Sequence, residues 1–82
     1  MKRSPIRDFY NRIIGWIETD ELTGNQVARD FYNRILGTYE AKLDVTRDFY
    51  NRIVAKGNVL SGLILEEENK KHIVDINKRS QG

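Results

Sequence analysis

Six arginines and three tyrosines carry the strongest chemical signal in this chain, because they recur at fixed spacing. An identical heptapeptide, Arg-Asp-Phe-Tyr-Asn-Arg-Ile, occurs three times, at Arg7–Ile13, Arg29–Ile35 and Arg47–Ile53. Arginine presents a planar fork of donors that suits phosphates, carboxylates and planar bases, and Tyr and Arg are enriched at the energetic centres of protein interfaces. The heptapeptide therefore predicts a binding site made of Arg7, Tyr10, Arg12, Arg29, Tyr32, Arg34, Arg47, Tyr50 and Arg52.

The phenylalanine of each heptapeptide is better explained by packing in the core than by binding. Small polar residues serve a turn better than two adjacent aromatic rings do, so the rings should be buried elsewhere. We expect Phe9, Phe31 and Phe49 to pack inward as core, which leaves the Tyr and Arg side chains on the surface.

The chain offers little for catalysis. It has no cysteine, a single histidine (His72, expected at the surface) and no serine in a nucleophile context. The three heptapeptide carboxylates, Asp8, Asp30 and Asp48, could form a ring that binds a cation. We favour a turn-capping role for them, since each has an arginine four residues later. The sequence thus predicts no catalytic residues, no metal, no cofactor and no enzyme.

The heptapeptide itself predicts a β-hairpin. Asp-Phe-Tyr-Asn suits a type I turn, with Asp first and Asn in the left-handed conformation at the fourth position. The structural turn residues are then Asp8, Asn11, Asp30, Asn33, Asp48 and Asn51. In the first hairpin, Asp8 would lie opposite Arg12, Arg7 opposite Ile13, and Ile6 opposite Ile14.

A short helix is the competing interpretation of the same segment. Phe9, Ile13 and Trp16 would share one helical face. Gly15 and Gly37 count against it, because glycine costs a helix about 1 kcal/mol.

A resemblance favours the hairpin. The segment from Val45 to Asn58 resembles small uncharacterised proteins of gut Firmicutes, whose tandem unit reads Arg-Asp-Phe-Tyr-Gly-Arg-Ile. Their Gly stands where this chain has Asn, as a left-handed turn position allows. The repeat also resembles bacterial 4-fold β-flower proteins, which implies short hairpins in a pseudo-fourfold arrangement over residues 5–65. The resemblance implies no activity.

We therefore expect a mostly-β, single repeat domain over residues 1–82 with four hairpin units. The units span about residues 5–18, 27–40, 45–56 and 58–76, and the last is an atypical hairpin without the heptapeptide. A helix is the alternative for residues 66–77, since Glu comes early and Lys late in that segment.

The composition and length of the chain limit which partners and which location are expected. With 14 basic and 12 acidic residues interleaved, the net charge of +2 makes nucleic acid an unlikely partner. The chain has no apolar run long enough for a membrane span and no signal-peptide pattern, so we expect a cytoplasmic protein. A domain of 82 residues without disulfides is small enough that a homo-oligomer is expected.

The leading hypothesis is a non-enzymatic binding or interaction module for an anionic ligand or a protein partner. A purely structural, self-assembling module is the first alternative. Nucleic-acid binding through the Arg/Tyr turns is the second.

Overall fold

The computed structural model describes the backbone of residues 1–81 and the side chains of residues 1–70. Six strands come first: β1 (Lys2–Arg7), β2 (Ile13–Thr19), β3 (Gln26–Asp30), β4 (Ile35–Glu40), β5 (Val45–Asp48) and β6 (Ile53–Lys56). One helix, α1 (Leu60–Gln81), follows them. The strands form one open antiparallel sheet in the order β1-β2-β3-β4-β5-β6, so the protein is mostly β.

Each heptapeptide forms the turn of a hairpin, and the helical interpretation of this segment is wrong. Asn11, Asn33 and Asn51 have φ of 65°, 71° and 66°, which is the left-handed position that Asn tolerates well. The amide of each Asn donates to the carbonyl of the Asp three residues earlier, at 2.9–3.0 Å. This bond closes the predicted type I turn.

The register beyond the turn differs from the prediction by one residue. Arg7 lies opposite Ile13 as expected, but Ile6 lies opposite Gly15 rather than Ile14. The extra residue is a β-bulge, which recurs in the other two hairpins. A bulge disturbs the alternation of side chains between faces. Ile14, the extra residue of the first hairpin, is buried in the core beside the helix.

The fourth hairpin, predicted at residues 58–76, is not formed, because α1 occupies this segment. The Asn58 carboxamide accepts a hydrogen bond from the Leu60 amide at 3.1 Å and so caps the helix start. Leu60 and Ile64, four residues apart, share the buried face of the helix. The part of the chain that is described thus has three hairpins side by side in one open sheet, and a helix. The pseudo-fourfold arrangement stays a prediction.

The helix packs across β2, β3 and β4 on one face of the sheet. The core consists of Ile14, Ala28, Leu60 and Ile64. Glycine in the strands lets the helix approach, since a Cβ on Gly15 would lie 2.7 Å from Ile64 Cγ2. Within the described residues, α1 does not have the length of apolar sequence that crossing a membrane requires.

Candidate functional site

The three heptapeptide turns lie side by side at the same end of the strands, because each joins an odd-numbered strand to the next one in an antiparallel meander. Successive turns are two strands apart, a separation of about 9.5 Å. We call this surface the turn edge and define it by its six rings: Phe9, Tyr10, Phe31, Tyr32, Phe49 and Tyr50.

An aspartate organises each turn. In the first, Asp8 Oδ1 accepts hydrogen bonds from the backbone amides of Tyr10 and Arg12, each at 2.9 Å. Asp8 Oδ2 accepts a hydrogen bond from Arg12 Nε. Asp48 makes the same bonds to Tyr50 and Arg52 in the third turn. These carboxylates therefore hold their own turns, which is the role that the sequence predicted for them.

The same hydrogen bonds stabilise the ionised carboxylates. The Arg12 backbone amide is the main reason that the pKa of Asp8 is lowered, and the Arg52 amide acts likewise on the pKa of Asp48. Burial would raise the pKa of Asp30, but bonds from the Arg34 amide and guanidinium outweigh it and the pKa is lowered. All three carboxylates are thus ionised at neutral pH.

The second arginine of each heptapeptide links the turn aspartate to the tyrosine. Arg12, Arg34 and Arg52 form ion pairs with Asp8, Asp30 and Asp48 at 2.9, 2.8 and 3.0 Å. Their guanidinium carbons lie 5.4, 5.8 and 4.9 Å from the ring centroids of the tyrosines in the same turns. These distances suit cation–π contacts, which orient the tyrosine rings.

The first arginine of each heptapeptide closes the turn from the other side. Arg7, Arg29 and Arg47 donate through Nη1 to the carbonyl of the turn asparagine, at 2.9, 3.0 and 3.4 Å. Two of them also have carboxylate partners on the preceding strand. Arg29 pairs with Glu18 at 2.6 Å, and Arg47 pairs with Glu40 at 3.5 Å.

The phenylalanines are not in the core, so the prediction that they pack inward is wrong. Phe9, Phe31 and Phe49 are 96%, 58% and 67% exposed. The reason is geometric: the core lies between the helix and strands β2–β4, whereas the turns extend past it. Each Phe instead packs edge-on against the neighbouring Tyr, with ring centroids 4.8–5.7 Å apart.

A groove of about 570 Å³ adjoins the third turn. Phe49, Tyr50, Val54 and Leu63 supply apolar walls, and Glu67 from the helix lies at its rim. Arg34, Tyr50 and Arg52 of the predicted site also line it, so the groove brings residues of two heptapeptides together. The predicted site residues of the first turn lie elsewhere along the edge.

Sequence reasoning missed Glu18 and Glu40 as arginine partners. Each lies on the strand before its arginine, so the pairing depends on the register between hairpins, which no local signal specifies. The Arg29 guanidinium lowers the pKa of Glu18. Helix residues at the groove were also missed, because that segment was expected to be a hairpin.

Comparisons with protein-family models, with curated protein sequences and with solved structures found no match. The resemblance to the Firmicutes proteins and to the β-flower proteins stays a prediction, as does the ligand-binding role of the arginines and tyrosines.

Proposed function

We propose that this protein is a non-enzymatic interaction module that binds a protein partner through the turn edge. The observation that carries the proposal is the exposure of six aromatic rings on one edge, where the three tyrosines are 69–75% exposed. Exposed aromatic clusters bordered by arginine are typical of protein-binding surfaces. The rings are already oriented by their Asp–Arg turns, which reduces the entropy lost on binding.

The groove beside the third turn supports the same proposal. Its volume of about 570 Å³ is large enough to receive an apolar side chain of the partner. Glu67 also lines it, so the groove offers a carboxylate to polar groups beside that side chain.

A protein partner is better supported than a small anionic ligand. Five of the six heptapeptide arginines form ion pairs, with Asp8, Glu18, Asp30, Glu40 and Asp48. An anion would have to compete with these carboxylates. The same neutralisation weighs against nucleic acid, whose binding relies on uncompensated cations.

Self-assembly through the turn edge is the second candidate, since every copy presents the same rings and the exposed Ile35 and Ile53 beside them. A homo-oligomer would bury this edge between copies. Sedimentation velocity separates the candidates: an oligomer that dissociates when the rings become serine supports self-assembly, and a monomer supports a different partner.

The experiment is selection of a displayed random-peptide library on the full chain. We expect selected peptides to lose at least tenfold in affinity for a variant with Tyr10, Tyr32 and Tyr50 changed to serine. Leu22→Ser with Leu43→Ser is the matched control, because these exposed leucines lie in loops between hairpins. Equal binding to the wild type and the tyrosine variant would contradict the proposal.

A further inference from the structure

The sheet contains two junctions at which one hairpin pairs with the next, β2 with β3 and β4 with β5. At each junction a glycine lies opposite the turn aspartate: Gly15 opposite Asp30, and Gly37 opposite Asp48.

The strand that pairs with each glycine leaves no room for a Cβ at that position. A Cβ on Gly15 would lie 2.5 Å from the Arg29 carbonyl oxygen, and a Cβ on Gly37 would lie 2.6 Å from that of Arg47. Both oxygens belong to the backbone of the neighbouring strand, which cannot turn aside as a side chain can. A hairpin of this type therefore accepts a further strand only where glycine holds this position.

The third hairpin departs from this rule. Gly15 and Gly37 each stand two residues after the heptapeptide isoleucine, and Ala55 holds that position in β6. Among the described residues, no strand pairs with the outer side of β6. Ala55 thus carries the Cβ that both internal junctions exclude.

Lys56, the residue after Ala55, would place two positive charges opposite each other if a further strand paired with β6. Trp16 and Thr38 lie opposite Arg29 and Arg47 at the two junctions, and Lys56 holds the same position in the third hairpin. A strand carrying the heptapeptide would bring its arginine opposite Lys56. Like charges directly opposite each other destabilise a strand pair.

The other edge of the sheet also departs from the repeat. Pro5 holds the position of Val27 and Val45, each two residues before the heptapeptide arginine. The Asp8 amide donates to the carbonyl of Arg12, the residue just before β2. Because backbone N–H groups alternate in direction along a strand, the backbone nitrogen of Pro5 faces away from β2, toward the free edge. Proline has no N–H to offer a further strand there.

We propose that Ala55 and Lys56 end the sheet, because they prevent β6 from pairing with the β1 strand of a second copy. Such head-to-tail contacts would not close on themselves and would build a filament. The proposal concerns the sheet edge and is independent of the partner at the turn edge.

The test is a chain with a fourth hairpin, made by inserting a second copy of residues 37–54 between Val54 and Ala55. In this chain the third hairpin ends in Gly-Thr. The matched control carries Gly37→Ala and Thr38→Lys in the inserted copy, which restores the Ala-Lys ending. We expect amide hydrogen exchange in the inserted hairpin to be at least tenfold faster in the control. Equal exchange rates would overturn the proposal.

Should neither longer chain fold, the natural-length chain supplies the test. In a Leu63→Ala background, which removes the Leu63 side chain from Gly37, we expect Gly37→Ala to lower the folding equilibrium constant at least tenfold. Ala55→Gly should lower it about two- to fivefold, the ordinary cost of glycine in a strand. Equal losses for the two substitutions would overturn the proposal.

Discussion

At the scale of single residues, each turn is a set of bonds around one carboxylate. Asp48 accepts two backbone amides and one guanidinium, and Asn51 supplies the left-handed residue that closes the loop. These interactions lie within five consecutive residues. That is why the turn, with Asp and Asn in their roles, could be predicted from the sequence.

Substitution of Asn51 tests the left-handed position. We expect Asn51→Ala to reduce the free energy of unfolding by about 1–2 kcal/mol, the cost of the left-handed conformation for a residue with a Cβ. Asn51→Gly should change it by less than about 0.5 kcal/mol. Urea denaturation of both variants is the measurement, and an alanine variant as stable as the glycine variant would contradict the assignment.

Acid should destabilise the protein through the turn carboxylates. Their pKa values are lowered in the folded state, whereas in the unfolded chain an Asp titrates near ~3.9. The stabilisation is therefore complete above about pH 5 and lost as the pH falls through the folded-state values.

Urea denaturation between about pH 6 and pH 2 measures this dependence. We expect Asp48→Asn to weaken the pH dependence of the free energy of unfolding, because one linked proton is removed. Asp20→Asn is the control, since Asp20 lies in a loop outside the heptapeptides. An unchanged slope for Asp48→Asn would contradict the linkage.

At the scale of elements, the strands follow from the heptapeptide turns, but their exact pairing does not. The bulge at Ile14 shifts the register by one residue. The same shift occurs in the third hairpin, where the equivalent Val54 is 47% exposed, so the bulge belongs to the hairpin backbone and does not depend on a contact with the helix. The C-terminal segment fitted both a strand and a helix by local pattern. The cap from Asn58 and the packing of Leu60 and Ile64 on the sheet decide for the helix.

The docking of α1 can be tested at Ile64, which is 1% exposed. We expect Ile64→Ala to lower the free energy of unfolding by about 2–5 kcal/mol, as large-to-small core substitutions do. Leu65→Ala, at a neighbouring helix position that is 43% exposed, should cost clearly less. Thermal unfolding followed by circular dichroism compares the two, and equal losses would contradict the packing described.

At the scale of the whole molecule, the helix covers one face of the sheet. The outer strands β1 and β6 both depart from the repeat, and the turn edge exposes its aromatic rings. The location of the rings was not predictable from the heptapeptide. Whether Phe9 is buried depends on which element covers its turn, and the helix covers β2–β4 instead. Among the residues whose side chains are described, the turn edge brings six exposed aromatic rings together.

A turn edge that is free to bind a partner requires that its phenylalanines are not needed for the fold. The most direct test is the free energy of unfolding of the triple variant Phe9→Ala, Phe31→Ala and Phe49→Ala, measured by urea denaturation. Exposed rings predict a folded variant that loses less than about 2 kcal/mol in total. Core phenylalanines would each cost about 3–5 kcal/mol, so an unfolded variant would contradict the account.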